Sequence, residues 1–236
     1  MPNDEFPYLV NLRVSKDGNL IHALVVDGQT NFETARFYPL DYFKITSFTY
    51  DSVKQVLGIS FQGSLFAGTK SKAIEVKGHL NDIPVSPYTC ASVFSYLKGK
   101  LENNNRSDSY YSSLGGQVSD KNATRQYFYL NNGYRLSMIS QKSFEHFAHT
   151  SVSFDSEHTS ALEVILEKYV ATTKPVISET YIKNEWKELK IKGTLHFKGI
   201  LSVGNDKGIE GSLQMNADDS GVRSEFRESS FVISIL

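Results

Sequence analysis

Histidine and carboxylate side chains, the groups best suited to acid–base or metal chemistry, are densest between residues 144 and 158. His146 and His149 are three residues apart, and Asp155 and His158 follow closely. If residues 143–149 are helical, the two histidines share one face, and Asp155 or His158 completes a mixed set of nitrogen and oxygen ligands. The pattern raises the hypothesis of a metal-dependent hydrolase. Ordinary surface and capping residues are the alternative, because His-x-x-His without a fixed third ligand is not a specific motif.

A row of cations offers a second kind of site. Lys190, Lys192, His196 and Lys198 occupy even-numbered positions of one stretch, so a strand projects them from a single face. Such a row can bind an anionic partner. Lysines on an exposed sheet also keep it soluble and discourage pairing with a second sheet. Both interpretations remain open at the level of sequence.

Tyr110 and Tyr111 are candidate contact residues of a different type. They lie in residues 103–124, a segment rich in Asn, Ser and Gly and poor in apolar residues. This composition predicts a polar linker or a long mobile loop. Aromatic side chains in loops often anchor contacts with another protein, so both tyrosines are predicted to bind a partner.

Other motifs point away from catalysis. The stretch from Gly63 to Ser71 has glycines at the spacing of a phosphate-binding loop, but its lysine comes one residue late and the expected context is strand–turn–strand. Cys90 falls on the apolar side of an expected helix, which predicts a buried structural thiol. The sequence contains neither G-x-S-x-G nor G-x-G-x-x-G. No cofactor is expected.

The element that organises the chain is the alternating stretch of residues 189–215. Apolar residues and glycines take the odd positions of residues 189–203 and again of residues 209–215, while polar residues take most even positions. A period of two predicts a half-buried antiparallel hairpin that turns near residues 204–208.

Glycines within this hairpin predict where it bends. Its length exceeds what a small domain keeps covered, so the strand must curve, and Gly193 and Gly199 allow it. A turn centred near residue 206 places Gly199 opposite Leu213 and Gly211 opposite Leu201. Each glycine gap is then filled by a large neighbour on the partner strand.

Two amphipathic helices are predicted to pack on the sheet. The first starts at Ser86 and Pro87 and continues to about residue 102, and the second runs from residue 155 or 156 to about residue 170. Both carry apolar residues at helical spacing behind a capping residue. A short helix near residues 143–148 is a further option.

Strands are predicted for most of the remainder, from alternation and from turn residues such as Asn131-Asn132-Gly133. The last strand, which ends on an apolar residue, is expected at a sheet edge. The predicted strands are residues 8–14, 20–26, 32–38, 42–50, 126–130, 134–139, 176–182 and 230–236.

An internal similarity joins the two halves of the chain. Residues 59–68 repeat the alternation and the glycine spacing of residues 195–204, and Lys72-Ala73-Ile74-Glu75 matches Lys207-Gly208-Ile209-Glu210 a few residues later. Duplication of one half explains this match. So does convergence, because any two curved strands need alternating apolar residues and a glycine bend.

Composition limits the function classes. The 236 residues carry 25 Lys plus Arg against 26 Asp plus Glu, so nucleic-acid binding is not expected. One cysteine excludes an internal disulfide, and no apolar run has the length of a signal peptide or membrane span. The sequence therefore predicts a soluble cytoplasmic protein.

These observations predict an α+β fold, a mainly antiparallel curved sheet of sandwich or barrel-like form with two helices packed on it. Residues 1–102 form a β-rich half, residues 103–124 a linker, and residues 125–236 an α+β half that ends in the long hairpin and a last strand. The expected function is a non-catalytic binding protein, such as an inhibitor, adaptor or assembly subunit, acting through a sheet face or loops.

The expected partner is another protein or a second copy of the chain joined through an edge strand. Two alternatives stay open. One is the metal-dependent hydrolase. The other is a barrel-like carrier whose small apolar ligand is enclosed by the odd positions of residues 189–215.

Overall fold

A computed structural model describes residues 9–14, 18, 20–28, 30–34, 43–67, 72–85, 93–103, 106–119, 123–130, 132–156, 161–170 and 186–235. Nearly all of them lie in antiparallel strands. The chain divides into two compact units, the first comprising Met1–Tyr88 and Ala171–Asn184 and the second comprising Thr89–Val170 and Glu185–Leu236.

Among the described residues, six strands belong to the first unit and ten to the second. Those of the first unit are β1 Leu9–Val14, β2 Leu20–Asp27, β3 Thr30–Glu33, β4 Phe43–Asp51, β5 Val56–Ala67 and β6 Lys72–Pro84. Those of the second are β7 Tyr96–Asn103, β8 Arg106–Ser119, β9 Thr124–Leu130, β10 Tyr134–Ser140, β11 Ser151–Asp155, β12 Leu162–Tyr169, β13 Trp186–Glu188, β14 Lys190–Val203, β15 Asp206–Asp219 and β16 Val222–Ile235.

The expectation of an α+β fold with two packed helices is wrong. The described residues hold a 3₁₀ turn at Phe144–Phe147, where a short helix was an option, and no α-helix. Residues 96–102 of the first predicted helix lie in β7, and residues 86–92 lie outside the described residues. Most of the second predicted helix is β12, and its residues 157–160 also lie outside.

The second helix prediction failed because β12 satisfies two periodicities at once. Leu162, Ile165, Leu166 and Tyr169 have helical spacing, yet burial follows the two-residue period: Leu162 and Leu166 are completely buried, and Glu163 between them is exposed. Short apolar runs do not distinguish helix from strand by periodicity alone. Pairing with β10 and β13 decides the outcome.

The predicted linker of residues 103–124 is also wrong, because it contains strand β8. This strand pairs with β7 on one side and β9 on the other, so its backbone hydrogen bonds are made within the sheet. A strand held on both sides tolerates a polar sequence, since strand propensity depends strongly on context.

The first unit is a sheet with the order β1-β2-β3-β5-β4, in which β6 also pairs with β5. The apolar residues of β2 and β3 pack against those of β4 and β5. Seven buried residues form this core: Leu20, Ala23, Val25, Phe32, Phe43, Phe61 and Leu65.

The second unit is a sheet that closes on itself. Its order is β11-β14-β15-β16-β7-β8-β9-β10-β12-β13. β13 continues through Leu189 directly into β14, and the amide of Leu189 donates to the carbonyl of Leu166 in β12 at 2.9 Å. The chain therefore connects β13, at one end of the strand order, directly to β14, which lies next to β11 at the other end. The enclosed interior is filled by large side chains such as Tyr110, Phe128 and Phe226.

The organising hairpin is confirmed as β14 and β15. Ile191, Leu195 and Phe197 are buried, whereas Lys192 and Lys198 are exposed, as the two-residue period predicts. Burial of one face therefore holds the hairpin on the core of the second unit.

The predicted glycine pairing within this hairpin is wrong. The turn is formed by residues 204 and 205 and is not centred at residue 206, so Val203 pairs with Asp206 and Gly199 with Glu210. A bulge between Phe197 and Gly199 then shifts the register by one more residue, so Gly211 pairs with Phe197. An extra residue on one strand displaces every pair beyond it. The gap at Gly211 is filled chiefly by the ring of Phe231 from β16.

Of the other predicted strands and hairpins, some are confirmed and others are not. The hairpins β1–β2 and β9–β10 are present, and Gly133 has the positive φ of 83° that its turn needs. The last strand exists as β16, but it pairs with both β15 and β7 and so is not an edge. The strand predicted at residues 176–182 lies outside the described residues.

The two similar stretches both form hairpins, β5–β6 and β14–β15. In each, a phenylalanine pairs with a glycine: Phe61 with Gly78, and Phe197 with Gly211. Duplication and convergence both account for this shared geometry.

Across the described ranges, no helix combines the length and apolar character needed to cross a membrane.

Candidate functional site

An apolar cleft lies in the first unit where its core ends. A bulge between Ile45 and Ser47 keeps the side chains of Phe48 and Tyr50 on the same face as Phe43 and Ile45. The apolar face of β4 therefore extends past the packed core towards the end of the strand. The neighbouring strands β5 and β6 extend it in the same way.

Cross-strand pairing places the cleft walls side by side. Phe48 lies opposite Ile59 and Tyr50 opposite Leu57, and on the other side of β5 Ile59 lies opposite Leu80. β1 supplies the remaining wall with alternate residues of one face. The cleft has a volume of about 550 Å³ and is lined by Val10, Leu12, Val14, Phe48, Tyr50, Leu57, Ile59, Leu80, Ile83 and Val85.

The cleft is open at the surface and closed towards the core. Val10, Tyr50 and Leu80 are 42%, 52% and 44% exposed. On the inner side, Phe61 stacks on Phe43 with ring centroids 5.8 Å apart, next along the same face from Ile59. Large apolar side chains that stay exposed around a concavity are typical of binding surfaces.

Gly18 and Phe48 define one limit of the cleft. Gly18 has a φ of 81°, which favours glycine, and a Cβ added there would lie 2.7 Å from Cγ of Phe48. Gly18 therefore lies directly against the Phe48 side chain. This contact fixes the ring that forms part of the cleft wall.

A separate polar pocket of about 330 Å³ shares only Tyr50 with the cleft and is lined mainly by residues of the opposite sheet face, such as Thr49, Asp51, Lys54 and Asp82. The Oδ1 atom of Asp51 accepts hydrogen bonds from the amides of Val53 and Lys54, both at 2.9 Å. This carboxylate thus has a structural role in the turn between β4 and β5.

The histidines and carboxylates of the metal hypothesis are not gathered into a site in the part of the chain that the structure describes. His146 lies in the 3₁₀ turn and His149 has a φ of 61°, both exposed, and the ring of His149 covers Gly199 of β14. Asp155 ends β11, opposite Lys192. His158 lies outside the described residues.

The same part of the chain shows no group of three or more His, Cys, Asp or Glu arranged to hold a metal. The hydrolase hypothesis therefore remains a prediction from sequence.

The cation row is on the outer face of β14 as expected, but acids from neighbouring strands stand beside it. Lys190 pairs with Asp218 of β15, and Lys192 pairs with Asp155 of β11. Residues directly opposite on antiparallel strands share a face and interact. Sequence adjacency could not reveal these acids, and their charge weakens the case for an anionic partner.

Two Ser–His pairs cross the sheets, a feature that sequence reasoning missed. Ser60 Oγ is 2.6 Å from Nδ1 of His79, and Ser151 Oγ is 2.8 Å from Nδ1 of His196. Both pairs are solvent-exposed cross-strand neighbours outside the cleft. Among the described residues neither histidine has a carboxylate on its other nitrogen, which a serine nucleophile's base needs for orientation.

Tyr110 is not an exposed anchor, so that prediction is wrong. Its side chain is 0% exposed, packs edge-to-face on Phe226 with centroids 5.4 Å apart, and donates its hydroxyl to Ser229 Oγ at 2.5 Å. Burial raises the pKa of Tyr110 far above its usual value. Tyr111, on the opposite face of β8, is partly buried and pairs with Lys98.

The cleft was not predicted from sequence. The carrier hypothesis expected a cavity behind the odd positions of residues 189–215, but Leu195 and Ile209 there are completely buried in a filled core. The sequence signal that could have found it is the excess of large apolar residues at the ends of β4, β5 and β6.

Comparison with known proteins finds no matching family model, no similar curated protein and no similar solved structure.

Proposed function

We propose that this chain is a non-catalytic binding protein and that the cleft of its first unit is the binding site. The observation that carries the proposal is the open apolar cavity of about 550 Å³, whose ten described lining residues are all apolar or aromatic. This volume lies within the range of small-molecule sites, about 300–1,000 Å³.

The hydrophobic effect supplies the driving force for binding. Complete burial of a Val, Leu or Phe side chain is worth about 1.5–3 kcal/mol relative to full exposure. Val10, Tyr50 and Leu80 are each about half exposed. A ligand that covers all three therefore gains roughly 2–4 kcal/mol from these side chains, before its own apolar surface is counted.

The two units differ in what they offer a ligand. In the second unit, rings such as those of Phe197 and Phe231 fill the interior, with centroids 5.4 Å apart. In the first unit, apolar side chains continue beyond the packed core and remain uncovered. The contrast favours the first unit as the binding unit and the second as a closed scaffold.

The experiment is a titration with N-phenyl-1-naphthylamine, an uncharged dye that fluoresces in apolar surroundings. We expect saturable binding that Leu80→Glu weakens at least ten-fold, because the variant places a carboxylate in the cleft wall. Val53→Glu is the matched control, since Val53 is 91% exposed in the same unit and does not line the cleft.

Val10→Glu repeats the test from the opposite wall. Far-UV circular dichroism checks that each variant keeps its strand content. Unchanged dye binding in folded Leu80→Glu and Val10→Glu proteins would contradict the proposal, as would an equal loss in Val53→Glu.

A further inference from the structure

The lining of the cleft also restricts the chemical class of its ligand, and this inference rests on the proposed function. Nine of the ten described side chains that line it are aliphatic or phenylalanine, and the tenth, Tyr50, adds one hydroxyl. A charged group placed among them loses hydration without gaining an ionic partner. The cleft therefore favours an uncharged ligand.

The arrangement of the walls sets the shape of the ligand. Val10, Leu12 and Val14 form one row on β1, and residues two apart on a strand are about 6.6 Å apart, so the row is roughly 13 Å long. The stacked rings of Phe43 and Phe61 limit the depth towards the core. A cleft walled by a row of this length suits an extended chain better than a compact group.

The charges near Tyr50 discriminate against one class of amphiphile. Tyr50 also borders the polar pocket, whose ionisable side chains are Asp51, Lys54 and Asp82. Two carboxylates and one ammonium give this pocket a net charge of about −1 at neutral pH. An anionic headgroup that emerges beside Tyr50 comes near this net negative charge, and none of the ten described residues that line the cleft is a cation.

We infer that the cleft binds a chain-like, uncharged apolar molecule, such as a long-chain ester or alcohol, and discriminates against a fatty acid of equal length. Tyr50 lies at the exposed end of the cleft, where its hydroxyl meets the polar end of the chain. The aliphatic part of the ligand lies along the β1 row, over Ile59.

The test displaces N-phenyl-1-naphthylamine from the full-length protein with three matched compounds at pH 8. Methyl dodecanoate and dodecanoate share one chain and differ in charge, and methyl adamantanecarboxylate is a compact ester. We expect methyl dodecanoate to displace the dye at a concentration at least ten-fold lower than either of the others.

Equal or better displacement by dodecanoate overturns the assignment of an uncharged ligand, and equal displacement by the compact ester overturns the assignment of an extended one. If the dye binds and methyl dodecanoate fails to displace it, this inference fails while the proposed function stands. If the dye does not bind the unmodified protein, the proposed function itself fails.

Discussion

The contact between Gly78 and Phe61 tests the architecture beneath the cleft. An alanine Cβ at position 78 would lie 2.8 Å from Cε1 and from Cε2 of Phe61 and closer still to Cζ. Ordinary carbon–carbon contacts are about 3.5–4.0 Å, so the ring must retreat by roughly 1 Å. Phe43 is stacked on the Phe61 ring and restricts this movement.

The expected magnitude follows from overpacking. Gly78→Ala is expected to destabilise the first unit by about 1–3 kcal/mol. Phe61→Leu removes the obstructing ring and is expected to cost roughly 1–2 kcal/mol through the small cavity that it leaves. Because the leucine makes room for the new methyl group, the double variant is expected to be more stable than the sum by about 0.5–3 kcal/mol.

Native-state hydrogen exchange in increasing urea, read by mass spectrometry, gives the opening free energy of β5 and β6 separately. Lys77→Ala, an exposed neighbour on β6, is the control and is expected to change this free energy by less than about 0.5 kcal/mol. Strictly additive effects of the two substitutions would refute the proposed contact. So would a stabilising effect of Gly78→Ala alone.

Two further substitutions test the second unit. Tyr110→Phe removes the buried hydroxyl that donates to Ser229 and is expected to cost about 0.5–1.5 kcal/mol, measured by urea unfolding; a neutral effect would contradict the bond. The Asp219 carboxylate accepts hydrogen bonds from the ammonium groups of Lys168 and Lys187. These bonds, chiefly the one from Lys168, lower the pKa of Asp219. A lowered folded pKa means that the stabilisation is present above the unfolded pKa and is lost as pH falls through the folded value. Asp219→Asn should therefore lower stability at pH 7, and its effect in unfolding curves should shrink progressively as pH falls below the ordinary aspartate pKa towards the lowered folded pKa; an effect that does not shrink as the solution is acidified would contradict this.

Much of the strand content could be predicted from the sequence, but the two helices predicted from it were wrong. The alternation of residues 189–215 reports burial on one face, and the structure confirms it. β7 and β12 were predicted as helices because their apolar residues fit both the helical and the strand period. Pairing with strands distant in sequence decides between the two. β8 misled for the opposite reason, since pairing on both sides holds a strand whose own sequence is polar.

The candidate sites show the same division between local and non-local information. The outward orientation of the lysine side chains on β14 could be predicted from the local alternation of apolar and polar residues. Their acidic neighbours Asp155 and Asp218, the burial of Tyr110, and the cleft itself all depend on which strands meet. Leu80 gives no local sign that it lines a cavity with β1, because the two strands are separated by more than fifty residues and meet only when the sheet folds over.

The most direct measurement of the central claim is methyl nuclear magnetic resonance of protein labelled at Ile, Leu and Val, titrated with methyl dodecanoate. We expect the signals of Leu12, Ile59 and Leu80 to shift in a saturable manner, while those of Leu195 and Leu213, buried in the closed sheet, stay fixed. Shifts confined to Leu195 and Leu213, or no saturable shift at the cleft, would contradict it.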